Sequence, residues 1–458
     1  MNSFAKITII FVNLFIFQNH MFGKLLEQEN VTNSVFQKNN ENTQLSPNAI
    51  LNKTHFDSIS NFNKAYFGHK VDFSQTHFDS NTYFGNAQFT MGVNFENTYF
   101  DSLAFFRNAD FDSLSNFRGV RFLSTANFTD TEFYSKAEFD NSIFKDEVSF
   151  INAQFNSTAL FWGTQFHSKT NFMGAHFESV TFFTDAQFES EVYFWSAHFD
   201  STVLFSGTHF KTKADFSKAH FESTVHFSEA TLPDTLILHN TTVNGVMNFT
   251  FSKRPSSLPE KKGMFNKLFR GKKKCKVSLF NMDLSQIKMN YELFELYFQE
   301  EDSLSLDQKK SLFVQLRKKF EDEGFIDSKK LVDIEYQKFL LWNCEESTFL
   351  TKIKYIFIRF WWNFGYNKEY IFIWILGFVC SFTILNCRLF RKISRDIYKL
   401  NDNFYFRKFK KSSLKRLANS IMFTCLIFFG VRLNFGNFKK IVVGYIALFF
   451  HTYCLFMW

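Results

Sequence analysis

Phenylalanine recurs through the middle of the chain at two alternating intervals, which limits the folds open to it. From Phe56 to Phe227, 32 phenylalanines follow one another with gaps of six and five residues, without a slip. Neither the 3.6-residue period of an α-helix nor the two-residue period of a flat strand produces such gaps. Two positions before each phenylalanine stands a small or β-branched residue, as in Ala65, Val71 and Thr82.

A coil built from short faces explains this spacing. If every face turns its phenylalanine and the small residue inward, four faces use 22 residues before the chain returns to its first face. Successive coils then stack in register about 4.8 Å apart, the spacing of strands in a sheet. Because burying one phenylalanine contributes roughly 1.5–3 kcal/mol, such a core is strongly favoured.

The segments "ANFTDTEF" (126–133) and "AQFNSTALF" (153–161) resemble Phe-centred pentapeptide repeats, a family read as A(D/N)LXX. The resemblance covers about residues 56–250 and implies a β-solenoid, a right-handed quadrilateral β-helix with about 22 residues per coil. After Phe227 the spacing breaks near Pro233, which predicts a terminating coil. We therefore place the pentapeptide-repeat β-helix at residues 51–250.

The repeats and the rest of the chain differ in charge. Residues 51–230 contain 12 Lys and Arg against 21 Asp and Glu, whereas the whole chain carries a net charge of +8. An acidic rod with a basic, apolar remainder argues against a nucleic-acid partner and for a membrane surface. Acidic members of the resembled family include DNA mimics directed at gyrase, so a DNA mimic is a third hypothesis for this chain. Export of the repeats would argue against it, because it would keep them away from DNA. Six scattered cysteines predict neither a disulfide framework nor a zinc site.

The flanking segments have their own patterns. Residues 1–22, with Lys6 before an apolar run, predict a signal peptide or an uncleaved N-terminal anchor, and residues 23–50 predict a polar linker. Residues 251–276 form a basic linker that is either a helix on anionic lipid headgroups or a solvated loop.

Residues 277–352 predict a small helical domain that contains a hairpin. Gly324 marks the end of the first helix, and Asp327 or Ser328 is expected to cap the second. The apolar positions of the first helix are Leu312, Phe313, Leu316 and Phe320. The second helix is expected to carry Leu331, Ile334, Glu335, Tyr336 and Phe339.

The last segment, residues 353–458, predicts a transmembrane region. Its apolar stretches at 370–387, 417–433 and 441–458 have 17 or 18 residues each. The loop 388–416 between the first two contains eleven Lys and Arg against two Asp, so the positive-inside rule makes it cytoplasmic. This orientation puts the repeats on the extracytoplasmic side of a bacterial cell (inner) membrane, in agreement with an export signal.

The three apolar stretches resemble the pore module of two-transmembrane potassium channels. The corresponding filter region, 427–437, has Gly430 and Gly436 but lacks the filter sequence and contains Arg432. Selective potassium conduction is thus not supported, and a degenerate ion-channel-like protein regulated by the repeats is the alternative function. His451, within the last stretch, is expected to be a neutral, hydrogen-bonded residue.

Histidine–carboxylate motifs recur one coil apart. His176, His198 and His220 precede core phenylalanines, so we expect them to point outward and stack about 4.8 Å apart. The "HFDS" motifs at 55–58 and 77–80 belong to the opposite face. Tyr99 and Arg121 continue the column of the "HFDS" motifs, and Gln154 and Glu132 begin the column of His176. The same ligand residues therefore do not recur from coil to coil, and we expect no metal site.

No catalytic motif of the GxSxG, HExxH, P-loop or GxGxxG type occurs. We therefore expect no catalytic residues, no cofactor and no enzymatic activity. The leading hypothesis is a membrane-anchored scaffold that displays an extracytoplasmic rod. Its expected partners are membrane lipids and a protein bound to the repeat surface, and its oligomeric state is left open.

Overall fold

The computed structural model describes residues 51–255, 273–298 and 304–343, two strands at 36–38 and 43–45, and single positions or short helical pieces between 353 and 384. Residues 51–255 and 273–298 form a parallel β-solenoid of about ten coils. Each coil crosses four sheets, numbered 1 to 4 along the chain. Most strands have two residues, one buried and one facing solvent.

Sheets 1 and 3 lie on opposite sides of the coil, and in their two-residue strands from His55–Phe56 to His220–Phe221 the second residue is the inward phenylalanine. The strands of sheet 1 are His55–Phe56, His77–Phe78, Tyr99–Phe100, Arg121–Phe122, Ile143–Phe144, Gln165–Phe166, Gln187–Phe188 and His209–Phe210. The strands of sheet 3 are Phe36–Lys38, Thr43–Leu45, Tyr66–Phe67, Gln88–Phe89, Asp110–Phe111, Glu132–Phe133, Gln154–Phe155, His176–Phe177, His198–Phe199, His220–Phe221 and Thr242–Val243.

Sheets 2 and 4 form the other two sides, and in most of their strands the first residue is the inward one. The strands of sheet 2 are Ser60–Asn61, Thr82–Tyr83, Ala104–Phe105, Ala126–Asn127, Val148–Ser149, Thr170–Asn171, Val192–Tyr193, Lys213–Asp215, Thr235–Ile237, Cys275–Ser278 and Phe294–Leu296. The strands of sheet 4 are Val71–Asp72, Val93–Asn94, Ser115–Asn116, Ala137–Glu138, Ala159–Leu160, Thr181–Phe182, Val203–Leu204, Val225–His226, Met247–Asn248 and Ile287–Lys288.

The alternation of five- and six-residue steps comes from two kinds of corner. At nearly every five-residue step the chain makes a tight turn closed by a backbone bond, such as Ala65 N–H to Phe62 O at 3.1 Å. The residue before the closing donor, Lys64 in this turn, has a left-handed backbone with φ of 58°. The six-residue steps contain one extra residue and form wider corners. Two tight and two wide corners alternate in each coil, which produces the 22-residue period.

All 32 phenylalanines of the predicted series are buried, which confirms the predicted core. Equivalent rings stack from coil to coil, as Phe117 does on Phe139 with centroids 4.8 Å apart and an interplanar angle of 3°. Rings from the opposite sheets 2 and 4 meet edge to face across the core, as Phe128 and Phe117 do at 90°. Inward threonine hydroxyls can bond the previous coil: Thr164 Oγ1 donates to the Phe139 carbonyl at 2.8 Å.

The solenoid continues beyond the end predicted at residue 250. Strands Cys275–Ser278 and Phe294–Leu296 extend sheet 2, and Ile287–Lys288 extends sheet 4. Residues 277–296 were predicted as part of a helical domain, so this boundary is corrected. The reason is a change of core residue: Leu232, Leu238 and Val243 take the positions that Phe210, Phe216 and Phe221 hold one coil earlier, and all three are buried. Pro233 lies between paired strands and does not end the coil.

The N-terminal edge also differs from the sequence prediction. Strand Phe36–Lys38 pairs antiparallel with Thr43–Leu45, which in turn pairs with the first regular strand of sheet 3 through Gln44 and Tyr66. Both strands fall in the segment 23–50, which was predicted as a polar linker. Because an uncovered sheet edge offers free backbone groups, this hairpin protects the first coil of sheet 3.

A helical hairpin follows the solenoid, with α1 at Leu306–Asp322 and α2 at Ile326–Asn343. The predicted apolar positions of α1 are all buried, which confirms them. A capping box joins Ser305 and Gln308 at its start. Gly324 ends it with φ of 75°, as predicted, and Phe325 N–H donates to the Phe320 carbonyl.

The second helix begins earlier than either predicted cap, Asp327 or Ser328, would allow. It starts at Ile326 directly after the glycine turn, so Asp327 and Ser328 lie within its first turn and neither is its N-cap. Its predicted positions Leu331, Ile334, Glu335, Tyr336 and Phe339 are half-buried, whereas Val332 is fully buried. The chain forms two compact units, residues 1–335 and residues 336–458.

Several predictions concern residues outside the described part of the chain. These are the segment 1–22, most of the basic linker, the loop 388–416, the stretches 417–433 and 441–458, the filter region and His451. The stretch 370–387 is described only as helical pieces at 373–378 and 380–384. Among the described residues, no helix has both the length and the hydropathy needed to cross a membrane.

Candidate functional site

Two columns of histidine and carboxylate side chains stand on opposite faces of the solenoid. The long histidine ladder, on sheet 3, consists of His176, His198, His220, Asp200 and Glu222. The short histidine ladder, on sheet 1, consists of His55, His77, Asp57, Asp79 and Asp101. Each histidine faces outward because it precedes an inward phenylalanine in a two-residue strand.

The structure confirms the predicted stacking of both columns. Ring centroids are 5.0 Å apart for His176 and His198 and 4.7 Å apart for His198 and His220. On the opposite face, His55 and His77 are 5.0 Å apart. The ladders end where the sequence changes, at Tyr99 in the short one and at Gln154 in the long one.

In the long ladder the carboxylates bridge neighbouring coils. Oδ2 of Asp200 lies 3.0 Å from Nε2 of His176, and Oδ1 of Asp200 lies 2.8 Å from Nε2 of His198. His220 Nε2 lies 2.6 Å from Oε1 of Glu222. The sequence predicted a separate column of acids beside the histidines, and it did not show that an acid from the next coil reaches back to a histidine. One aspartate, Asp200, therefore contacts two imidazoles.

The short ladder repeats this contact with different ring geometry. His55 Nε2 is 2.8 Å from Asp79, and His77 Nε2 is 2.9 Å from Asp101. The rings of His55 and His77 are parallel within 8°, whereas those of His176 and His198 are nearly perpendicular at 85°. The two ladders thus share composition and differ in the directions of their ring nitrogens.

Hydrogen bonds favour the ionised form of Glu222, the last carboxylate in the long ladder. The pKa of Glu222 is lowered, first by its hydrogen bond with His220 and then by one from Asn244. Farther down the same sheet, burial and the neighbouring Glu132 raise the pKa of Asp110. Sheet 3 therefore changes from a carboxylate column to a histidine–carboxylate column along its length.

Sheet 4 carries a short apolar column on its outer side. Leu160, Phe182 and Leu204 are direct neighbours on consecutive coils, and all three are half-buried. Trp162, just past this column, is 53% exposed, and its indole N–H donates to Asp185. Charged or polar residues, Glu138 and His226, occupy the positions before and after the column. We call these four residues (Leu160, Trp162, Phe182 and Leu204) the apolar patch.

A carboxyl group joins the last coil to helix α2. Glu335 accepts the Tyr291 O–H on Oε2 at 2.9 Å and the Leu296 backbone N–H on Oε1 at 2.8 Å. Burial raises the pKa of Glu335, and its hydrogen bonds and the nearby Lys274 only partly oppose this. Burial also raises the pKa of Tyr291. All these groups have structural partners, so we assign this cluster to fold stability.

The architecture defines a class: a parallel, four-sided β-solenoid with 22 residues per coil and phenylalanine inside every face. The coils match a known repeat family. Residues 117–165 and 161–208 match the family model for pentapeptide repeats (9 copies). The β-solenoid is thus similar to pentapeptide-repeat proteins over residues 117–208, and a helical hairpin follows it. No curated protein and no solved structure matches the chain.

Proposed function

We propose that this protein is a non-enzymatic interaction scaffold whose solenoid binds a protein partner. The single observation that carries this proposal is the apolar patch on sheet 4. Contiguous apolar side chains that remain partly accessible to solvent and have polar neighbours are typical of protein–protein contacts. Pentapeptide-repeat proteins are often scaffolds, which agrees with this proposal.

The sheets suit this role because the backbone fixes the position of each outward side chain. Leu160, Phe182 and Leu204 repeat at strand spacing on a surface with successive strands in register. A rigid surface loses little conformational entropy on binding, which favours affinity. We expect Trp162 and Phe182 to contribute most of the binding energy, because large aromatic side chains dominate protein interfaces.

The partner can be sought by cross-linking in the native membrane followed by purification of the full-length protein. We expect a defined partner with the wild type and its loss with the double variant Trp162→Ser and Phe182→Ser. Leu123→Ser is the matched control, since Leu123 is 44% exposed and follows a strand of sheet 1. Recovery of the same partner with the double variant would contradict the assignment of the patch.

Membrane anchoring and extracytoplasmic display complete the proposal. They are supported by the apolar stretches 370–387, 417–433 and 441–458 and by the basic loop 388–416. Added protease should remove the repeats from intact cells or spheroplasts if the repeats face outward. Protection of the repeats in intact spheroplasts, with digestion after lysis, would contradict the proposed orientation.

The alternative function, a degenerate ion-channel-like protein, rests on residues outside the described part of the chain. Ion flux into reconstituted vesicles would favour it if the flux were lost on deletion of 417–458. The scaffold proposal predicts no flux from either protein.

A further inference from the structure

We propose that the long histidine ladder binds one divalent transition-metal ion through His176, His198 and Asp200, with His220 and Glu222 as an adjoining set of ligands. The irregular composition of the column in sequence predicted no metal site. The fold changes this expectation because it brings Asp200 of one coil against the imidazole of the coil before it. The proposal is independent of the apolar patch and of membrane anchoring.

The ligand atoms are close enough to converge on one ion. His176 Nε2 and His198 Nε2 lie 3.0 and 2.8 Å from the two oxygens of Asp200. The ligand atoms of these three residues all lie within 4.8 Å of one another. Tetrahedral zinc, with bonds of about 2.0–2.1 Å, separates its ligands by about 3.3 Å. Small side-chain rotations therefore suffice to bring the two imidazoles onto a shared ion.

Ring orientation favours this group over the short ladder. A metal binds in the plane of an imidazole, along the lone pair of its nitrogen. The rings of His176 and His198 are 85° apart, so the two lone pairs can meet at one point. The rings of His55 and His77 are parallel within 8°, which directs their lone pairs side by side. The short ladder is therefore an internal comparison of the same chemistry with less suitable geometry.

The adjoining residues offer a second position one coil further on. His198, His220 and Glu222 also place their ligand atoms within 4.8 Å of one another, but the rings of His198 and His220 are only 26° apart, so their lone pairs converge less well than those of His176 and His198. Because both sets use His198, we expect one ion per ladder, shared between two positions. The hydroxyl of Thr242 bonds Nδ1 of His220, and Asn244 donates to Glu222 at 2.5 Å, which orients both ligands.

The donor set indicates the class of metal. Imidazole nitrogens with a carboxylate, and no thiolate, suit Zn²⁺, Cu²⁺ and Ni²⁺, whereas Ca²⁺ and Mg²⁺ prefer oxygen ligands alone. The side chains are accessible: His176 is 31% exposed, His198 41% and Asp200 37%. Water can therefore enter with the ion and fill its remaining coordination positions. The register of His176, His198 and His220 in sheet 3 holds the backbones in place before the ion binds.

Zinc binding to the tag-free, full-length protein tests the proposal, with equilibrium dialysis as the measurement. We expect one Zn²⁺ per chain in the wild type and an affinity at least about tenfold lower for His198→Gln. Asp200→Asn and His176→Gln should each show a similar loss. Saturating zinc should raise the thermal unfolding midpoint of the wild type and leave that of His198→Gln unchanged.

Two controls make the result decisive. His77→Gln removes a histidine from the short ladder, and His226→Gln removes an outward histidine of sheet 4. Both should bind zinc like the wild type. The proposal is overturned if the wild type binds no zinc, if folded His198→Gln, Asp200→Asn and His176→Gln all bind it normally, or if His77→Gln loses binding to the same extent. Circular dichroism of each variant establishes that it is folded.

Discussion

The phenol of Tyr291 donates a hydrogen bond of 2.9 Å to Oε2 of Glu335, which connects the last coil of the solenoid to helix α2. The other carboxylate oxygen accepts the backbone N–H of Leu296, in the last strand of sheet 2. The ring of Tyr291 also meets Phe320 of α1 edge to face. Helix α1 and the first part of α2, up to Glu335, thereby cover the C-terminal end of the solenoid, where exposed core and strand edges would otherwise remain.

Replacing Glu335 should show how much this contact stabilises the last coil. In Glu335→Ala the Tyr291 hydroxyl and the Leu296 amide lose their acceptor, at a cost of about 1–3 kcal/mol for each buried unsatisfied group. Glu335→Gln keeps an oxygen that accepts the Leu296 N–H, and its amide N–H can donate to the Tyr291 hydroxyl oxygen in a reversed hydrogen bond, so its effect should be smaller. Native-state hydrogen exchange of the Leu296 amide measures both. Equal protection in the two variants would contradict this role of the carboxyl group.

The same residue should give the solenoid end a distinct pH dependence. Burial raises the pKa of Glu335 above its ordinary value of 4.5, so at intermediate pH the folded form binds a proton that the unfolded form has released. The stabilisation from this group is therefore greatest below pH 4.5 and falls as the pH rises through the folded pKa. Urea unfolding of the wild type and Glu335→Gln from acid to neutral pH measures the difference. Parallel stability curves would refute this linkage.

The phenylalanine core predicts a sharp contrast between neighbouring residues. Phe106 is fully buried and stacks on Phe84 and Phe128, whereas the adjacent Phe105 faces outward and is half-buried. Phe106→Ala should cost about 3–5 kcal/mol of unfolding free energy because it leaves a cavity. Phe105→Ala should cost about 1–2 kcal/mol, the loss of partial burial alone. Thermal unfolding of the two variants should show the larger loss for Phe106→Ala.

The left-handed backbone of the tight corners limits which residues can replace Gly163. Its φ is 63°, and the equivalent residue one coil earlier, Asn141, has φ of 57°. Gly163→Val should cost at least about 1–2 kcal/mol, since a β-branched residue is strained in the left-handed region. Gly163→Asn should cost less, although its Cβ would come within 2.7 Å of the Asn141 side-chain oxygen, which has to move. Unfolding midpoints that rank asparagine below valine would contradict this.

Much of the fold could be predicted because one residue type marks it. Phenylalanine appears on every face between residues 56 and 227, so its spacing alone gave the coil length, the core and the outward direction of the intervening residues. The coils after Phe227 were not predicted because Leu236, Met247 and Val277 fill the same core without a distinctive spacing. Their register depends on pairing with strands already formed, which the local sequence does not encode.

Less of the candidate site could be predicted. Counting residues placed His176 and His198 on the same face and put them in one column. Counting did not reveal that Asp200 reaches the histidine of the preceding coil, because that contact depends on side-chain rotamers. Nor does spacing determine the angle between two rings, which separates the long ladder from the short one.

The alternating corners also restrict how the gene can change in length. Eleven codons encode one tight and one wide corner, so gaining or losing this number preserves the core but moves every downstream side chain to the opposite side of the rod. A change of 22 codons keeps each side chain on its own side. Duplication of an odd number of eleven-codon units would therefore copy a surface motif onto the opposite face of the rod. The HFD motifs at 55–57 and 198–200 occupy opposite faces, as such an event would leave them.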